Sequence, residues 1–569
     1  MAKSGLAKAV AGLLLVVLFV VPAAAALTPH PTRGENVEAP STAVAKAEDQ
    51  QWPWGNKPEP FPWLDYLANM TNETNVRLIV ITRHENTLTS VANEVFLNSP
   101  VAEKLGISQV TYVRVSPTQW VYYIQNSRVP IDVAWGGGPT LFNLLDQYGL
   151  LEPLNPQAQP AYYAILYEMQ KIPDTIAGVP TYKVGDDGYV HWVGSAISSF
   201  GFTINTSMIQ KYNLPTPKNW SDLTRPEFGK YLPDKPLVGI ADPRKSTSNT
   251  RMYEIILQAY GWDKGWKVLT LLAANSKIYD SSSGVRDAVI IGEIAVGITI
   301  DFYGYIAQAQ SPYCKYILPE GETIVNADPI AIIKGTPHPV QAAGFVAWVL
   351  SEYGGQSVWL NKEVNRLPIN PKVFNTTAGQ ERPDLKEAFQ TAATARNIEF
   401  NETLASRTEA AMKSYFAATL VEAHEDLQNV WALLVKAYLN GSITKEQFER
   451  LVDNLTAPIE FRDPLTGQNT TFTLEYAEKI NDLLISNASI LQTLQQEWTD
   501  AASAKYLNVY DQLVNTIQKN KEAGTATGNQ TQTGTTPSGG GTKFNTGKIA
   551  VIVVGVIIIV AAAYVILKK

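Results

Sequence analysis

The segment NVRLIVITR (Asn75–Arg83) is apolar and rich in β-branched residues, a composition that predicts a buried strand. The polar loop Thr82–Thr87 follows it, and apolar residues then recur at helical spacing over Leu88–Leu97. Strand, loop and helix in this order open a doubly wound α/β sheet, in which ligands bind at the carboxyl ends of the strands. Arg83 and His84 stand at such an end, so we expect them to contact a ligand. The alternative is a solvated loop with a structural ion pair.

The same pattern recurs along the chain. Strands are predicted at Gln109–Val115 and Val129–Trp135. The strand that ends at Trp135 leads into a glycine-rich loop, Gly136–Thr140, and then into a helix. An extended stretch, Trp192–Asn205, begins a second group of alternating strands and helices. The whole region is therefore predicted to be α/β.

Three short loops are rich in glycine or hydroxyl-bearing residues, and each precedes a helical pattern: Gly136–Thr140, Lys245–Thr250 and Ser281–Gly284. Backbone N–H groups and hydroxyls at helix N-termini bind anions, because the helix dipole favours negative charge there. Simple helix capping is the alternative, since serine, threonine and asparagine are preferred N-caps. One cap needs one hydroxyl, whereas these loops hold several in a row, and we therefore favour ligand contact. The candidate residues are Gly136, Gly137, Gly138, Thr140, Lys245, Ser246, Thr247, Ser248, Asn249, Ser281, Ser282 and Ser283.

Four more side chains are candidates for the same site. Asp301 and Tyr303 follow the predicted strand Ala295–Ile300, and a carboxylate there can ligate a cation or accept a hydrogen bond from a ligand hydroxyl. Trp135 and Trp192 are expected either to wall a ligand cleft or to pack in the core.

The composition excludes several classes of protein. Hydrophobic residues make up 45% of the 569 residues and charged residues 17%, as in globular proteins. A net charge of −7 without a basic run argues against nucleic-acid binding. The one cysteine, Cys314, excludes a disulfide framework, a CxxC zinc site and an iron–sulfur centre. Because HExxH, GxSxG and complete P-loop motifs are absent, we expect neither an enzyme nor a bound cofactor.

Eight segments, in their order along the chain, resemble the extracellular solute-binding proteins of ABC importers, in the branch of ferric-iron, polyamine and thiamine binders. They are DVAWGGGPT, PKNWSDLTRPEF, IADPRKSTSNT, GWDKGW, ANSKIYDSSSGV, GEIAVGITIDFY, the segment Leu318–Gln356 and NRLPINP, and the resemblance covers roughly Arg77 to Val373. It implies a type 2 periplasmic-binding-protein-like fold with two α/β lobes joined by two crossing strands. Residues 75–195 and 315–382 would form the first lobe, and residues 196–314 the second. The lobes would close on a small-molecule ligand.

The resemblance leaves the ligand open. In ferric-binding members two adjacent tyrosines ligate iron, but the matching segment here is Asp301-Phe302-Tyr303, so the tyrosine pair is incomplete. A metal is therefore not expected, and Tyr303 and Asp301 are the candidate ligands if ferric iron is bound. From the hydroxyl-rich loops we favour an oxyanion-bearing small molecule, with ferric iron or a polyamine as alternatives within the family.

The two ends of the chain predict its location. Residues 1–26 have a basic start, an apolar run and a small-residue cleavage site, as in a secretory signal peptide. Ile549–Leu567 is an unbroken apolar run closed by Lys568 and Lys569, which predicts a single membrane-spanning anchor (547–569) with its lysines in the cytoplasm. The binding region would then be extracellular and attached to the cell membrane, an arrangement typical of an archaeal envelope.

Sequons of the form Asn-x-Ser/Thr agree with an exported glycoprotein. They are at Asn69, Asn72, Asn205, Asn219, Asn375, Asn401, Asn440, Asn454, Asn469, Asn487 and Asn529.

The remaining segments divide by composition. Residues 27–74 form a polar, proline-rich leader, and residues 521–546, rich in glycine, threonine, asparagine and glutamine, form a flexible stalk. Between 383 and 520 apolar residues recur every three or four positions, which predicts a helical extension. We expect this extension to pack on the first lobe, with a spacer or a docking surface as the alternative.

We interpret the chain as a cell-surface substrate-binding protein that captures a small solute between two lobes and delivers it to the permease of an ABC importer. Binding by lobe closure needs no catalytic residue. Two other classes remain open. An extracellular hydrolase would need a nucleophile–base pair or paired carboxylates, and no such pattern is present. A surface-layer or adhesion protein would usually show β-rich repeats, and the sequence has none.

Overall fold

The computed structural model describes residues 51–115 and 119–529. The predicted signal peptide, residues 27–50 of the predicted leader, residues 530–546 of the predicted stalk and the predicted membrane anchor lie outside the described residues. Among the helices that are described, none is long and apolar enough to cross a membrane.

The first lobe is built on parallel strands, as its apolar segments predict. Strand β1 (Val76–Thr82) pairs in parallel with β2 (Ile107–Val113) and β3 (Val133–Trp135). All residues of β1 except Arg77 are buried, a sign that both faces of the sheet are covered. The other elements before the crossing are α1 (Leu64–Ala68), α2 (Asn86–Leu97), α3 (Pro100–Lys104), α4 (Trp120–Asn126), α5 (Pro139–Gln147), α6 (Tyr163–Met169), β4 (Thr175–Ile176), β5 (Val179–Pro180) and β6 (Tyr182–Val184).

One long strand, β7 (Val190–Asn205), belongs to both lobes. Its first half pairs antiparallel with β12 (Val325–Ile332), and its second half pairs antiparallel with β10 (Val296–Ile300) and β11 (Cys314–Ile317). The chain thus crosses to the second lobe in β7 and returns between β11 and β12. The family resemblance implies two crossing strands. Strand β7 is one of them, whereas the return crossing, residues 318–324, is not a strand.

The second lobe continues the sheet on the other side of β7. Strand β8 (Val238–Ala241) pairs in parallel with β10 and with β9 (Ser276–Tyr279), so the strand order through both lobes is β2-β1-β3-β12-β7-β10-β8-β9. This topology confirms the predicted mixed α/β, periplasmic-binding-protein-like architecture. The helices of the second lobe are α7 (Thr206–Lys211), α8 (Thr247–Tyr260), α9 (Trp262–Asn275), α10 (Ser282–Ile290) and α11 (Asp301–Gln310).

The first lobe is completed by a segment that precedes β1 and by elements that follow β12. Part of the predicted leader folds into it, because Trp63 is fully buried and donates from its indole nitrogen to Glu168 (2.8 Å). After β12 the chain adds α12 (Pro339–Leu350), α13 (Gly355–Trp359), β13 (Leu367–Pro368), α14 (Thr377–Gln380) and α15 (Pro383–Ala393).

From Glu402 onward the helical extension packs on the second lobe, and for these residues the expectation that it packs on the first lobe is wrong. Only its first helix, α15, packs on the first lobe, where Phe389 contacts Phe374. Phe416 stacks on Tyr253 of α8 with ring centroids 4.3 Å apart, and Trp431 donates to Asn275 at the end of α9 (2.6 Å). Apolar side chains of the extension and of the second lobe form one continuous core. Its elements are α16 (Glu402–Phe416), a π-helical turn (Ala417–Glu422), α17 (His424–Leu439), α18 (Lys445–Thr456), β14 (Glu460–Arg462), β15 (Asn469–Thr471), α19 (Leu474–Ser486) and α20 (Ala488–Asn529).

Two local features differ from the sequence predictions. Helix α20 continues to Asn529, past the predicted start of the stalk at Lys521, and the helix formers Glu522 and Ala523 favour that extension. The sequon residue Asn205 is buried; its side chain accepts a hydrogen bond from the N–H of Met208 (3.2 Å) and donates to the carbonyl of Val289 (2.9 Å). An N-glycan therefore has no room at Asn205 in the folded chain.

Candidate ligand-binding cleft

A cleft of about 550 Å³ lies between the two lobes. This volume falls within the range of about 300–1,000 Å³ that is usual for small-molecule sites. The predicted residues that line it are Arg83, His84, Gly137, Gly138, Thr140, Lys245, Ser246, Thr247, Ser248, Ser281, Ser282, Ser283 and Tyr303. Both lobes therefore contribute the loops that the sequence singled out.

Arg83 provides a positive charge that no carboxylate among the described residues neutralises at ion-pair distance. Within the part of the chain that the structure describes, its guanidinium makes only a long hydrogen bond, to the carbonyl of Val115 (3.4 Å). The side chain is exposed to the cleft, and partial desolvation by the surrounding protein lowers the pKa of the guanidinium from its usual value, yet an arginine remains charged in proteins. An unpaired cation on a cleft wall is well suited to bind an anion.

The glycine loop is held by a buried ion pair. Asp328 of β12 accepts hydrogen bonds from the N–H groups of Gly137 (2.8 Å) and Gly138 (3.0 Å), and it pairs with Arg366. These contacts to Arg366 and the two N–H groups keep the pKa of Asp328 below its usual value, despite the opposing effect of burial. Arg366 also donates to Ser198 (2.8 Å), so it connects the glycine loop to the crossing strand.

His84 is neutral in this environment. Burial and the nearby guanidinium of Arg366 lower its pKa to about 3. Its Nδ1 accepts a hydrogen bond from Arg366 (3.0 Å), while its Nε2 is buried and has no hydrogen-bond partner among the described residues. The Nε of Arg366 is likewise buried without a partner there.

A cluster of hydroxyls lies where the N-termini of α8 and α10 meet. The Oγ of Ser282 lies 2.6 Å from the Oγ of Ser246 and 2.6 Å from that of Ser248, and it accepts from the amide of Asn249 (2.8 Å). Ser281 adds a contact to Ser283 (3.0 Å). We call Ser246, Ser248, Ser281, Ser282 and Ser283 the serine cluster.

Capping explains only part of the serine cluster. Ser246 caps α8 by accepting from the N–H of Asn249, and Ser281 caps α10 by accepting from the N–H of Gly284. Ser248 and Ser282 lie inside the first helical turns and cap neither helix. Thr247 has an exposed side chain that makes no hydrogen bond to a described residue. Helix capping therefore accounts for Ser246 and Ser281, whereas Ser248, Ser282 and Thr247 remain candidates for ligand contact.

The two lobes touch across the cleft through Tyr303. Its hydroxyl donates a hydrogen bond to the carboxylate of Glu85, which follows β1 in the first lobe. Burial and the negative charge of Glu85 raise the pKa of Tyr303 far above its usual value, so the phenol stays protonated. This arrangement holds the phenol in a hydrogen bond with Glu85 rather than in a metal site.

Five predicted site residues do not line the cleft. Trp135 and Trp192 are core residues whose indole nitrogens donate to Ser195 and Asn143 (both 3.1 Å). Gly136 packs under His84, where a Cβ would come within 2.5 Å of the imidazole. The other two are Asn249 and Asp301, both fully buried.

Hydrogen bonds from Ser199 and Phe302 stabilise the buried carboxylate of Asp301. Its carboxylate accepts from the N–H (2.8 Å) and hydroxyl (3.1 Å) of Ser199 and from the N–H of Phe302 (2.7 Å). Burial raises its pKa to about 7. Because the carboxylate is committed to these donors, the described conformation does not present Asp301 as a ligand. No group of three or more His, Cys, Asp or Glu side chains able to hold a metal ion occurs among residues 51–115 and 119–529.

Sequence reasoning missed several residues of the cleft. Arg366 and Asp328 lie 38 positions apart and have no local motif. Arg251 and Glu254 lie in the interior of α8, where charged residues usually indicate a solvated face. Glu409 and Lys413 come from the helical extension, for which no contact with the cleft was expected.

Comparison with known proteins agrees with this architecture. Residues 87–356 match the model of the bacterial extracellular solute-binding protein family. This segment of the chain therefore carries an extracellular solute-binding domain. The domain takes up just under half of the chain, and its family is one of transport binding proteins rather than enzymes. The match falls within the region, Arg77 to Val373, for which the resemblance was stated.

Two curated relatives match over part of their length. The phosphoglycerate transport regulatory protein PgtC of Salmonella typhimurium is 28% identical over 193 residues, which are 33% of this chain and 46% of that protein. An uncharacterized protein of Haemophilus influenzae is 26% identical over 232 residues, 40% of this chain and 63% of that protein. The chain thus spans about half the length of the curated relatives it matches.

Solved structures give weaker similarities. AfuA from Actinobacillus pleuropneumoniae, with fructose-6-phosphate bound, has a TM-score of 0.42 at 20% identity and covers 56% of this chain and 98% of its own. Iron-bound HitA from Pseudomonas aeruginosa has a TM-score of 0.41 at 20% identity and covers 52% of this chain and 87% of its own. At these scores we transfer neither ligand nor mechanism from them. Archaeal origin and membrane anchoring remain predictions.

Proposed function

We propose that this chain binds a small, oxyanion-bearing solute between its lobes and delivers it to the permease of an ABC importer. The observation that carries the proposal is the guanidinium of Arg83, which has no ion-pair partner in residues 51–115 and 119–529 and lines the same cleft as the serine cluster. A cation and hydroxyls at two helix N-termini together favour an anion. The binding domain would lie outside the cell, attached to the membrane by the predicted anchor.

Hydrogen bonding supports the choice of an anion. The exposed hydroxyl of Thr247 is available to donate, and the serine cluster adds further hydroxyls on the second-lobe wall. Hydrogen bonds to a charged acceptor are worth about 1.5–3 kcal/mol, compared with ~0.5–1.5 kcal/mol for neutral pairs. A phosphate monoester offers three oxygens for such donors.

The nature of the anion is proposed from two considerations. The name of the relative PgtC associates that protein with phosphoglycerate transport. In the cleft of this chain, donors come from both lobes, which suits a multidentate phosphate better than a carboxylate with two oxygens. Ferric iron is disfavoured because Asp301 is committed to Ser199 and Phe302, and Tyr303 to Glu85.

The proposal is tested by titrating the full-length chain, purified in detergent, with inorganic phosphate, 3-phosphoglycerate, spermidine and ferric citrate in a calorimeter. We expect a phosphate ester to bind, and Arg83→Met to weaken its binding about 10- to 100-fold, as expected for the loss of a hydrogen bond to a charged group. Arg128→Met, at an exposed arginine of the same lobe that does not line the cleft, is the matched control and should bind as the wild type does. Binding of spermidine or ferric citrate without any phosphate ester would contradict the proposal.

A further inference from the structure

The helical extension forms a third wall of the cleft. Helix α16 contributes Ser406, Glu409 and Lys413, and α19 contributes Asn481. The position of α19 against α16 is fixed by Asn481, whose side-chain oxygen accepts from the N–H of Ala410 (2.9 Å). A ligand between the lobes would therefore also face the extension.

Charges at this end of the cleft are paired. Arg251 of α8 lies 3.3 Å from Glu254 and 3.2 Å from Glu402, and Lys413 pairs with Glu409 (2.7 Å). This differs from the first-lobe wall, where Arg83 has no carboxylate partner among the residues that the structure describes. Burial raises the pKa of Glu254 to about 8, so near neutral pH the two cations face two ionised carboxylates, Glu402 and Glu409. A ligand group carrying a full charge would upset this balance, so a neutral polar group is favoured.

Two buried atoms of this set lack hydrogen-bond partners among the described residues. They are Nη1 of Arg251, a donor, and Oε1 of Glu254, a carboxyl oxygen on a side chain that is 6% exposed. Because Nη1 lies 3.3 Å from the other oxygen of Glu254, the two unpartnered atoms are close neighbours. A hydroxyl group has one donor and two acceptor positions, so it can satisfy both at once.

We infer that this end of the cleft, formed by Arg251, Glu254 and the α16 pair Glu409–Lys413, binds the hydroxyl-bearing part of a phosphorylated polyol. The inference rests on the proposed function, which assigns the anionic group of the ligand to Arg83 and the serine cluster. Burial raises the pKa of Glu254 to about 8, and a protonated carboxyl is compatible with a neutral hydroxyl neighbour. The cleft volume of about 550 Å³ gives room for a chain of several hydroxyl-bearing carbons beyond the phosphate.

The test compares two probes on the full-length chain in detergent: methyl phosphate, which has no hydroxyl-bearing carbon, and sorbitol 6-phosphate, which has five. We expect the wild type to bind the polyol phosphate at least 10-fold more tightly than methyl phosphate. In the near-isosteric double variant Glu409→Gln/Lys413→Met this ratio should fall below about 3-fold. Both residues are partly exposed, so the variant is expected to fold, and circular dichroism checks this.

The matched control is Lys445→Met/Glu449→Gln, which removes an exposed ion pair of the same i,i+4 spacing on α18, away from the cleft. It should keep the wild-type ratio. A wild type that binds methyl phosphate as tightly as sorbitol 6-phosphate, or a cleft variant that keeps the wild-type ratio, overturns this inference and leaves the proposed function standing. A wild type that binds neither ester overturns the proposed function, and this inference with it.

Discussion

Tyr303 of the second lobe donates a hydrogen bond to Glu85 of the first lobe, directly across the candidate cleft. Tyr303 is buried, whereas Glu85 is exposed at the end of β1. The ring of Tyr303 belongs to the core of the second lobe, whereas the exposed Glu85 belongs to the core of neither lobe, so the hydrogen bond links the lobes outside the two cores. Its loss should change the relative position of the lobes more than the stability of the fold.

The first prediction concerns Tyr303→Phe. Removing the hydroxyl should destabilise the closed arrangement of the lobes by about 1.5 kcal/mol. This is the lower end of the range for a hydrogen bond to a charged group, chosen because Glu85 is exposed. The ratio of closed to open molecules should then fall roughly 10-fold. Small-angle scattering of the ligand-free chain should show a larger radius of gyration. Tyr313→Phe, at an exposed tyrosine of the second lobe, is the control. Identical scattering from Tyr303→Phe and wild type would show that the bond does not hold the lobes together.

The second prediction separates ligand contact from helix capping. Thr247→Ala should weaken phosphate-ester binding by about 1.5–3 kcal/mol, the value of one hydrogen bond to a charged acceptor, while unfolding free energy changes by less than ~0.5 kcal/mol. Ser282 is less suitable for this test, because its hydroxyl also supports Ser246, Ser248 and Asn249.

The reverse result is expected at a cap remote from the cleft. Thr444 forms a capping box with Gln447 at the start of α18, and Thr444→Ala should lower the unfolding free energy by ~1 kcal/mol without changing affinity. Chemical denaturation and calorimetry measure the two quantities. If Thr247→Ala lowers stability and leaves affinity intact, Thr247 has no role in binding.

The third prediction concerns pH. The pKa of Asp301 is about 7 in the folded chain, against 3.8 as the ordinary value. Between these values the folded state holds a proton that the unfolded state has lost. The contribution of Asp301 to stability is therefore full below pH ~4 and is lost as the pH rises toward 7, by at most ~1.4 kcal/mol per pH unit.

Asp301→Asn removes this titration. The stability of the variant relative to the wild type should therefore increase as the pH is raised from 4 to 7. Urea unfolding at several pH values measures this difference. Parallel curves for the two proteins over that range would contradict the assignment.

The fourth prediction tests whether the extension and the second lobe unfold together. Phe416 is fully buried and stacks on Tyr253, so Phe416→Ala should cost ~3–5 kcal/mol. Because the two parts share a core, tryptophan fluorescence and far-ultraviolet circular dichroism should move to lower denaturant together. Leu439→Ala, at an exposed position of α17, should change little. An extension that unfolds in its own earlier transition would disprove a shared core.

Local sequence patterns predicted which segments form strands and helices better than they predicted what those elements pack against. The apolar run Asn75–Arg83 fixes β1 to within two residues, and the extended stretch from Trp192 lies entirely within β7. The partner of the extension was predicted wrongly, because an amphipathic helix shows that one face is buried but not what covers it. Phe416 is paired with Tyr253 only by the tertiary fold.

The same limit applies to the cleft. Hydroxyl-rich loops are visible in sequence because several residues of one kind stand together, and most of them do line the cleft. The Asp328–Arg366 ion pair cannot be predicted from local sequence, because neither residue belongs to a motif. The two side chains meet only when the fold brings β12 against the segment before β13. Trp135 and Trp192 show the converse error, since an aromatic residue next to a loop can belong to the core.

Helix α20 gives the fusion of extension and second lobe a mechanical consequence. Its 42 residues span about 63 Å, and its buried face shares the core of the second lobe. Any rotation of that lobe about the crossing segments must therefore move the whole of α20 as well. The displacement of a residue in α20 grows with its distance from those segments. The helix acts as a lever that converts a small angular change at the cleft into a larger translation at its end. A pair of spin labels, one on the first lobe and one near Lys519, would report lobe movement with more amplitude than labels placed at the cleft itself.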